Sequence, residues 1–327
     1  MIVYDPTKPE QSPYIRNRMG EIEGIVREFE MTHGVRVAYV AVTGEHAEGL
    51  ATGESPIDLA MIYVRPQDDY LTCFEVPRTH TIDSAGIGCV AYDIAHVYEK
   101  IANSDTRTLE WLRATPLKSL TDDVVAQTTL SLAARATITA RLVNYYYMLS
   151  RTRGLPDMLD RTTRHTIEKS MRVAIHTLSL AYVYRFHTMP PVIGRLLVDE
   201  LSAWRLDDDS PLERLCAITV GLMDAKMEGH GDDTDEHVRD TAHVVKAVLD
   251  MLIDENSDIS SIVPTTEARK KHTAEMQRLC DEAFRAIVCR VETKTRDSDA
   301  RESLVEGLDQ VIDALSKLRE GIKKDGD

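Results

Sequence analysis

The sequence predicts an α+β protein, in which a mixed sheet with flanking helices precedes an all-helical region. Two short runs rich in β-branched residues, Val35–Val42 and Ile57–Val64, are typical of buried strands. From Asp93 onward the apolar residues recur with a helical period instead. This change of period places the sheet in the N-terminal part of the chain. The expected regions are a mixed α/β region over residues 1–118, a helical region over 119–260, and a helical hairpin or coiled-coil-like tail over 261–327.

The α/β region is expected to open with a helix. Apolar residues at helical spacing predict this helix over residues 14–32, and Gly34 is its stop signal. Besides the two runs above, Tyr70–Val76 and Gly86–Tyr92 are expected to form further strands. Asp93 then suits the N-cap of the first helix that follows the sheet.

Two later segments have distinctive helical patterns. Residues 167–187 are apolar nearly all round, which predicts a helix buried between others and ended by Pro190 and Pro191. In the tail, apolar residues from Cys280 to Val291 and from Leu304 to Ile322 recur in steps of four and three, which is a heptad seam. This seam fits an antiparallel hairpin packed within the chain. It also fits a coiled coil that joins copies into a homo-oligomer or binds a protein partner.

Composition narrows the classes of function. The net charge of −15, from 39 basic and 54 acidic residues, opposes broad binding of nucleic acid, although a local basic groove stays open. The five cysteines are scattered without a CxxC pair, which indicates reduced thiols and argues against a structural zinc site. No apolar run approaches the roughly 18 residues that a membrane span needs, and the N-terminus shows no apolar signal core. A cytoplasmic protein without a membrane partner is therefore expected.

Two stretches carry a family resemblance. Val42–Leu71 reads VTGEHAEGLATGESPIDLAMIYVRPQDDYL, and Gly86–Ala114 ends in TLEWLRA. The pieces GLAT, IYVRP and LEWL, in this order, resemble the predicted nucleotidyltransferases of bacteria and phages within the DNA polymerase β-like nucleotidyltransferase superfamily. The resemblance covers about residues 30–115 and continues faintly to about 255, with the tail after 260 outside it. It implies a nucleotidyltransferase-like sheet and, if the chain is phage-encoded, a location in the host cytoplasm.

The resemblance also implies a metal site that this chain has partly lost. In the superfamily, two aspartates at i and i+2 of one strand and a third on a neighbouring strand hold two Mg²⁺ ions. Asp58 matches the second aspartate, but Pro56 replaces the first and Gly88 stands where the third is expected. Asp58 is thus the residual catalytic and metal-binding candidate, and Glu54 joins it only if the strand extends that far. Mg²⁺ is a possible cofactor, but no cofactor is the preferred expectation.

The phosphate-binding part of the motif departs from the pattern as well. Gly44 is retained, but Glu45 occupies the position of a serine that would help to cradle phosphate, and a carboxylate there would repel it. Lys169 and Arg172 lie one helical turn apart and could form a phosphate clamp, or simply a solvated helix flank. His176 follows where the family shows an arginine.

These observations support two functional hypotheses. The first is a catalytically degenerate nucleotidyltransferase-like protein that binds a nucleotide or RNA and serves as a regulatory or structural interaction protein. The alternative is an active, Mg²⁺-dependent enzyme that transfers a nucleoside monophosphate to RNA, tRNA or another hydroxyl acceptor through a rearranged site.

Overall fold

The computed structural model describes two compact units. The sheet unit comprises the described parts of Thr7–Gly44, Pro56–Ala136 and Glu267–Asp327. The helical unit comprises the described parts of Glu45–Ser55 and Thr137–Thr266. The described residues from Glu267 to Arg296 thus group with the sheet, whereas the sequence placed 261–327 in a region of its own. The structure describes residues 7–74, 76–159, 166–203, 210–229, 235–255 and 266–296.

The sheet has four strands in the order β1-β2-β4-β3. The pairs β1/β2 and β3/β4 are antiparallel, and β2/β4 is parallel, so the sheet is mixed. The predicted α+β class is confirmed, and the run Ile57–Val64 forms a strand with the predicted bounds. The strands are β1 (Arg36–Thr43), β2 (Ile57–Val64), β3 (Thr79–Ser84) and β4 (Ile87–Asp93).

Helices account for most of the remaining described residues. A π-helical segment, Met148–Gly154, continues from the seventh helix. The α-helices are α1 (Pro13–Asn17), α2 (Met19–His33), α3 (Gly44–Glu48), α4 (Ile94–Ala102), α5 (Thr106–Trp111), α6 (Asp123–Ala136), α7 (Thr139–Tyr147), α8 (Leu155–Leu159), α9 (Ile167–Phe186), α10 (Gly194–Ser202), α11 (Pro211–Met227), α12 (Asp235–Glu255) and α13 (Thr266–Arg296).

One predicted strand, Tyr70–Val76, is wrong. Its first residue ends a 3₁₀ helix, and the side chains of Leu71 and Phe74 are 75% and 79% exposed. The strand beside β4 is instead the more polar β3, which joins β4 through a tight turn at Ala85 and Gly86, both with positive φ. An edge strand needs backbone pairing on one side only, so β3 forms without the apolar alternation that identifies buried strands.

The core of the sheet unit lies between α2 and one face of the sheet. The buried side of α2, including Ile22 and Phe29, belongs to one hydrophobic cluster with alternate strand residues such as Leu59, Met61 and Cys89. Burial of these side chains is the main source of stability for this layer.

The outer edge of β1 is covered by the chain that precedes α6. The backbone N–H of Leu117 donates to the Val40 carbonyl at 2.8 Å, and that of Asp122 donates to the Ala38 carbonyl at 2.9 Å. Between them, Val40 N–H donates to the Thr121 hydroxyl at 3.1 Å. The edge groups of β1 in this stretch are therefore satisfied within the unit.

The described part of the heptad seam packs inside the sheet unit. Cys280 and Ile287 of α13 are buried, and Phe284 meets the Tyr70 ring edge-on at 5.0 Å. The ion pair of Arg290 with Asp122, at 3.5 Å, ties the same helix to the chain before α6. The rest of the seam, from Val291 to Ile322, lies outside the described side chains.

In the helical unit, α9 is the central element. As predicted from its apolar surface, most of its side chains are buried, and it contacts α7, α10, α11 and α12. The helix ends at His187, which adopts a left-handed conformation with φ 54° and donates its N–H to the Val183 carbonyl. Among the described residues, no helix combines the length and apolar character that crossing a membrane requires.

Candidate functional site

Asp58 lies at the second position of β2, in a rung that crosses the sheet. Its register partners are Thr43 on β1 and Gly88 on β4. Gly88 pairs in turn with Asp83 on β3. Residues paired in this way point to the same face of a sheet, so the rung aligns these side chains.

Two glycines enclose the Asp58 carboxylate. A Cβ atom added at Gly44 would overlap Asp58 Oδ2, and one added at Gly88 would lie 3.2 Å from Oδ1. Gly44 also has φ +62°, in the left-handed region that favours glycine, at the turn from β1 into α3. The glycine of the motif therefore does more than tighten a turn, because it makes room for the carboxylate.

The oxygen ligands around Asp58 do not fit a two-magnesium centre. Pro56 precedes β2 and offers no side-chain oxygen, and Gly88, directly beside Asp58, offers none either. Mg²⁺ requires near-octahedral coordination by hard oxygen ligands. Among the described residues, no group of three or more His, Cys, Asp or Glu side chains has an arrangement that could hold a metal ion.

Glu54 does not share the strand of Asp58. The strand begins at Ile57, and Glu54 is exposed in the turn before it. The condition under which Glu54 was expected to join Asp58 on one strand face is therefore not met. Pro56 explains the boundary, because it lacks the N–H that a ladder requires and suits the start of a strand.

Glu45, in the helical unit, is the centre of an ion-pair cluster. Lys226 Nζ donates to Glu45 Oε1, and the Ser55 hydroxyl donates to Oε2 at 2.5 Å. Arg172 Nη2 lies 3.8 Å from Oε1, and its Nη1 lies 3.8 Å from Glu48 Oε1. The Glu45 and Lys226 side chains are only 15% and 12% exposed.

The electrostatic balance at Glu45 favours its charged form. Burial alone would raise the pKa of Glu45, but hydrogen bonds from Lys226 and Ser55, and the charges of Lys226 and Arg172, hold that pKa below its ordinary value. The carboxylate expected to repel phosphate thus pairs with two cations of the protein.

Lys169 and Arg172, the two residues of the predicted clamp, have different surroundings on α9. Lys169 is exposed in the first turn of α9, where Thr166 caps its backbone N–H. The cation that shares Glu45 with Arg172 is Lys226 of α11. Sequence reasoning missed Lys226, although it lies in the stretch VGLMDAKMEG that echoes the family's helical half.

His176, one turn after Arg172 on α9, is held neutral. Burial, and then the Arg172 charge, lower the pKa of His176 to about 4. A neutral imidazole adds no positive charge beside Arg172 near neutral pH.

Asp93 does more than cap α4. Its Oδ1 accepts from the Ala95 N–H at 2.8 Å, as predicted for an N-cap. Its Oδ2 accepts from Arg65 Nε at 2.7 Å, with side chains 2% and 8% exposed. Tyr70 also donates its hydroxyl to Oδ1 at 3.3 Å. This buried network holds the ends of β2 and β4 together.

Comparison with known families agrees with this architecture. The model of the RNA repair pathway DNA polymerase beta family matches residues 20–281. The chain belongs to this family. The RNA repair pathway DNA polymerase beta family is a polymerase β-like nucleotidyltransferase family, so the resemblance drawn from the GLAT and IYVRP pieces is confirmed.

The family match extends further than the sequence motifs indicated. It continues past residue 260 and ends within α13, whereas the motifs placed the tail outside the family. This extent suits the packing of α13 on the sheet unit. No curated protein matches the chain.

Proposed function

We propose that this family member is a catalytically degenerate nucleotidyltransferase-like protein that binds a nucleotide or RNA and acts in a regulatory or structural role. The observation that supports this proposal is the rung through Asp58. Asp58 is the one carboxylate on β2, and its neighbour on β4 is Gly88, where transfer chemistry in the superfamily relies on three carboxylates around two metals.

The cost to catalysis follows from the donor count. Two-metal transfer needs one ion to activate the attacking hydroxyl and another to neutralise the leaving phosphate. Asp58 alone supplies a small part of the oxygen shell of even one Mg²⁺ ion. Binding of a nucleotide or RNA places no such demand, since phosphate groups can be held by Lys and Arg side chains.

Labelled-nucleotide incorporation tests the loss of catalysis. The protein is incubated with each of the four nucleoside triphosphates, total RNA, and either Mg²⁺ or Mn²⁺. We expect incorporation no higher than in Asp58→Ala. Turnover by the wild type that disappears in Asp58→Ala would reject degeneracy.

Isothermal titration tests the binding role. We expect saturable binding of a nucleoside triphosphate or of single-stranded RNA, and Asp58→Ala should retain it. Failure of both ligands to bind at millimolar nucleotide or micromolar RNA would remove the binding part of the proposal.

One observation favours the alternative, an active enzyme with a rearranged site. Asp83 shares the rung of Asp58 across Gly88, with about 10 Å between the two Cα atoms from two strand spacings of ~4.8 Å. If these carboxylates share one ion, Asp83→Asn should abolish incorporation as completely as Asp58→Ala. The exposed Asp69 provides the control Asp69→Asn, which should leave incorporation unchanged.

The tail is proposed to join copies of the chain or to bind a protein partner. The support is the heptad seam from Leu304 to Ile322, which follows a helix whose own apolar residues are used within the sheet unit. Truncation after Arg296 leaves the buried part of α13 in place. Light scattering should then show fewer copies of the chain per particle after truncation, and an unchanged number of copies would exclude self-association through the tail.

A further inference from the structure

The cluster around Glu45 has the donor set of a phosphate site. Lys226 from α11, Arg172 from α9 and Ser55 from the loop before β2 converge on a single carboxylate. An ammonium, a guanidinium and a hydroxyl together offer charge and hydrogen bonds to an oxyanion. The carboxylate that they surround belongs to the chain itself.

Water and other carboxylates replace Glu45 only in part as partners of the two cations in this cluster. The Lys226 side chain is only 12% exposed, so its ammonium group has little contact with water. Arg172 is 40% exposed and is shared with Glu48 and with Glu168, the latter at 3.0 Å from its Nε. Removal of the Glu45 charge would therefore leave Lys226 as a nearly buried cation in need of an anion.

We infer that Lys226, Arg172 and Ser55 form a binding site for a terminal phosphate group, which the Glu45 carboxylate occupies in place of the ligand. The inference rests on the proposed function, because it describes how this family member would hold a phosphate-bearing ligand. A terminal phosphate suits the site better than a phosphodiester. It carries close to two negative charges and three free oxygens, which match two cations and one hydroxyl.

Occupation by Glu45 predicts a closed site in the wild type and an open one in its variants. Glu45→Ser removes the competing carboxylate and supplies a hydroxyl donor. Glu45→Gln removes only the charge and keeps the shape of the side chain, which guards against a folding failure of Glu45→Ser. Glu48→Gln is the matched control, since it neutralises another carboxylate that pairs with Arg172, at 3.8 Å from its Nη1.

Isothermal titration with inorganic triphosphate, in EDTA so that no metal takes part, measures the effect. We expect Glu45→Ser to bind at least tenfold more tightly than the wild type, Glu45→Gln to gain affinity in the same direction, and Glu48→Gln to change affinity by less than twofold. Adding Lys226→Met to Glu45→Ser should abolish the gain.

Parallel titrations with ATP and with a 5′-phosphorylated RNA oligonucleotide identify the source of the phosphate. An unphosphorylated dinucleotide, which has only a phosphodiester, should bind Glu45→Ser no better than the wild type. The inference is overturned if correctly folded Glu45→Ser and Glu45→Gln, judged by circular dichroism, gain no affinity, or if the gain survives Lys226→Met. Because no metal or turnover is involved, these outcomes are independent of whether the protein catalyses transfer.

Discussion

Breaking the buried ion pair of Arg65 and Asp93 should strongly destabilise the sheet unit. Asp93→Asn keeps an oxygen to cap α4 but removes the charge opposite Arg65, and the two side chains are only 8% and 2% exposed. Removing one partner of a buried pair costs about 3–5 kcal/mol, chiefly because the other charge stays buried. Since Asn can still accept one hydrogen bond, we expect the lower end, about 3 kcal/mol, or roughly a hundredfold in the folding equilibrium.

Tryptophan fluorescence during urea unfolding measures this loss within the sheet unit. Trp111 stacks on Tyr92 at 5.5 Å, and the chain has one other tryptophan, Trp204. In a Trp204→Phe background the signal therefore reports on the sheet unit alone. The midpoint and slope of the transition give the change in free energy of unfolding.

An exposed ion pair between Arg78, just before β3, and Glu99 of α4 provides the control. Arg78 and Glu99 lie 3.1 Å apart with side chains 56% and 58% exposed, so Glu99→Gln should cost at most about 1 kcal/mol. The double variant Arg65→Met and Asp93→Asn should recover part of the loss, because no uncompensated charge remains. If Asp93→Asn costs no more than Glu99→Gln, the reasoning is wrong.

Three further predictions concern packing and pH. Gly154→Ala should lower the free energy of unfolding by about 1–3 kcal/mol, because the added Cβ would lie 2.7 Å from a methyl group of Val173. Gly221→Ala should raise it by up to ~1 kcal/mol, because nothing lies within 4 Å of the added Cβ and alanine favours the helix. Urea titration of both variants measures the two changes. Ile287→Ala should cost about 2–5 kcal/mol in the Trp111 signal, because the side chain is fully buried, and an unchanged midpoint would contradict the packing of α13. Because the pKa of His176 is about 4 in the fold against 6.5 ordinarily, the unfolded chain binds the extra proton, so stability should fall from pH 6.5 to 4 more steeply than in His176→Gln.

Local pattern sufficed for the parts of the fold where burial dictates the residue types. The β-branched run of β2 predicts a strand, and the apolar spacing of α2 predicts a helix. Gly34, predicted as the stop signal of α2, caps this helix in a left-handed conformation. The strand prediction for Tyr70–Val76 is wrong because it assumed that the apolar residues of this run are buried, whereas Leu71 and Phe74 are exposed to solvent. The polar β3 was recognisable only from the Ala85-Gly86 turn that pairs it with β4.

In the candidate site, the sequence identified the residues of the local motif but not their partners from distant parts of the chain. The motif singles out Asp58, Pro56 and Gly88, and the structure pairs Asp58 with Gly88 in one rung of the sheet. The partners of Glu45 could not be found in this way. Lys226 is 181 positions away in sequence, and no periodicity links the carboxylate of Glu45 on α3 to a cation on a distant helix.

The coverage of β1 by the chain before α6 limits how this protein can recruit other chains. An extended peptide cannot add to the sheet along the stretch from Ala38 to Val40, where the outward carbonyls and the Val40 N–H already have bonds within the fold. Strand addition is directed to β3 instead, whose short, polar and exposed character makes it a poor template for fibril growth. Mutations in Thr79–Ser84 should therefore weaken the binding of any partner that extends the sheet.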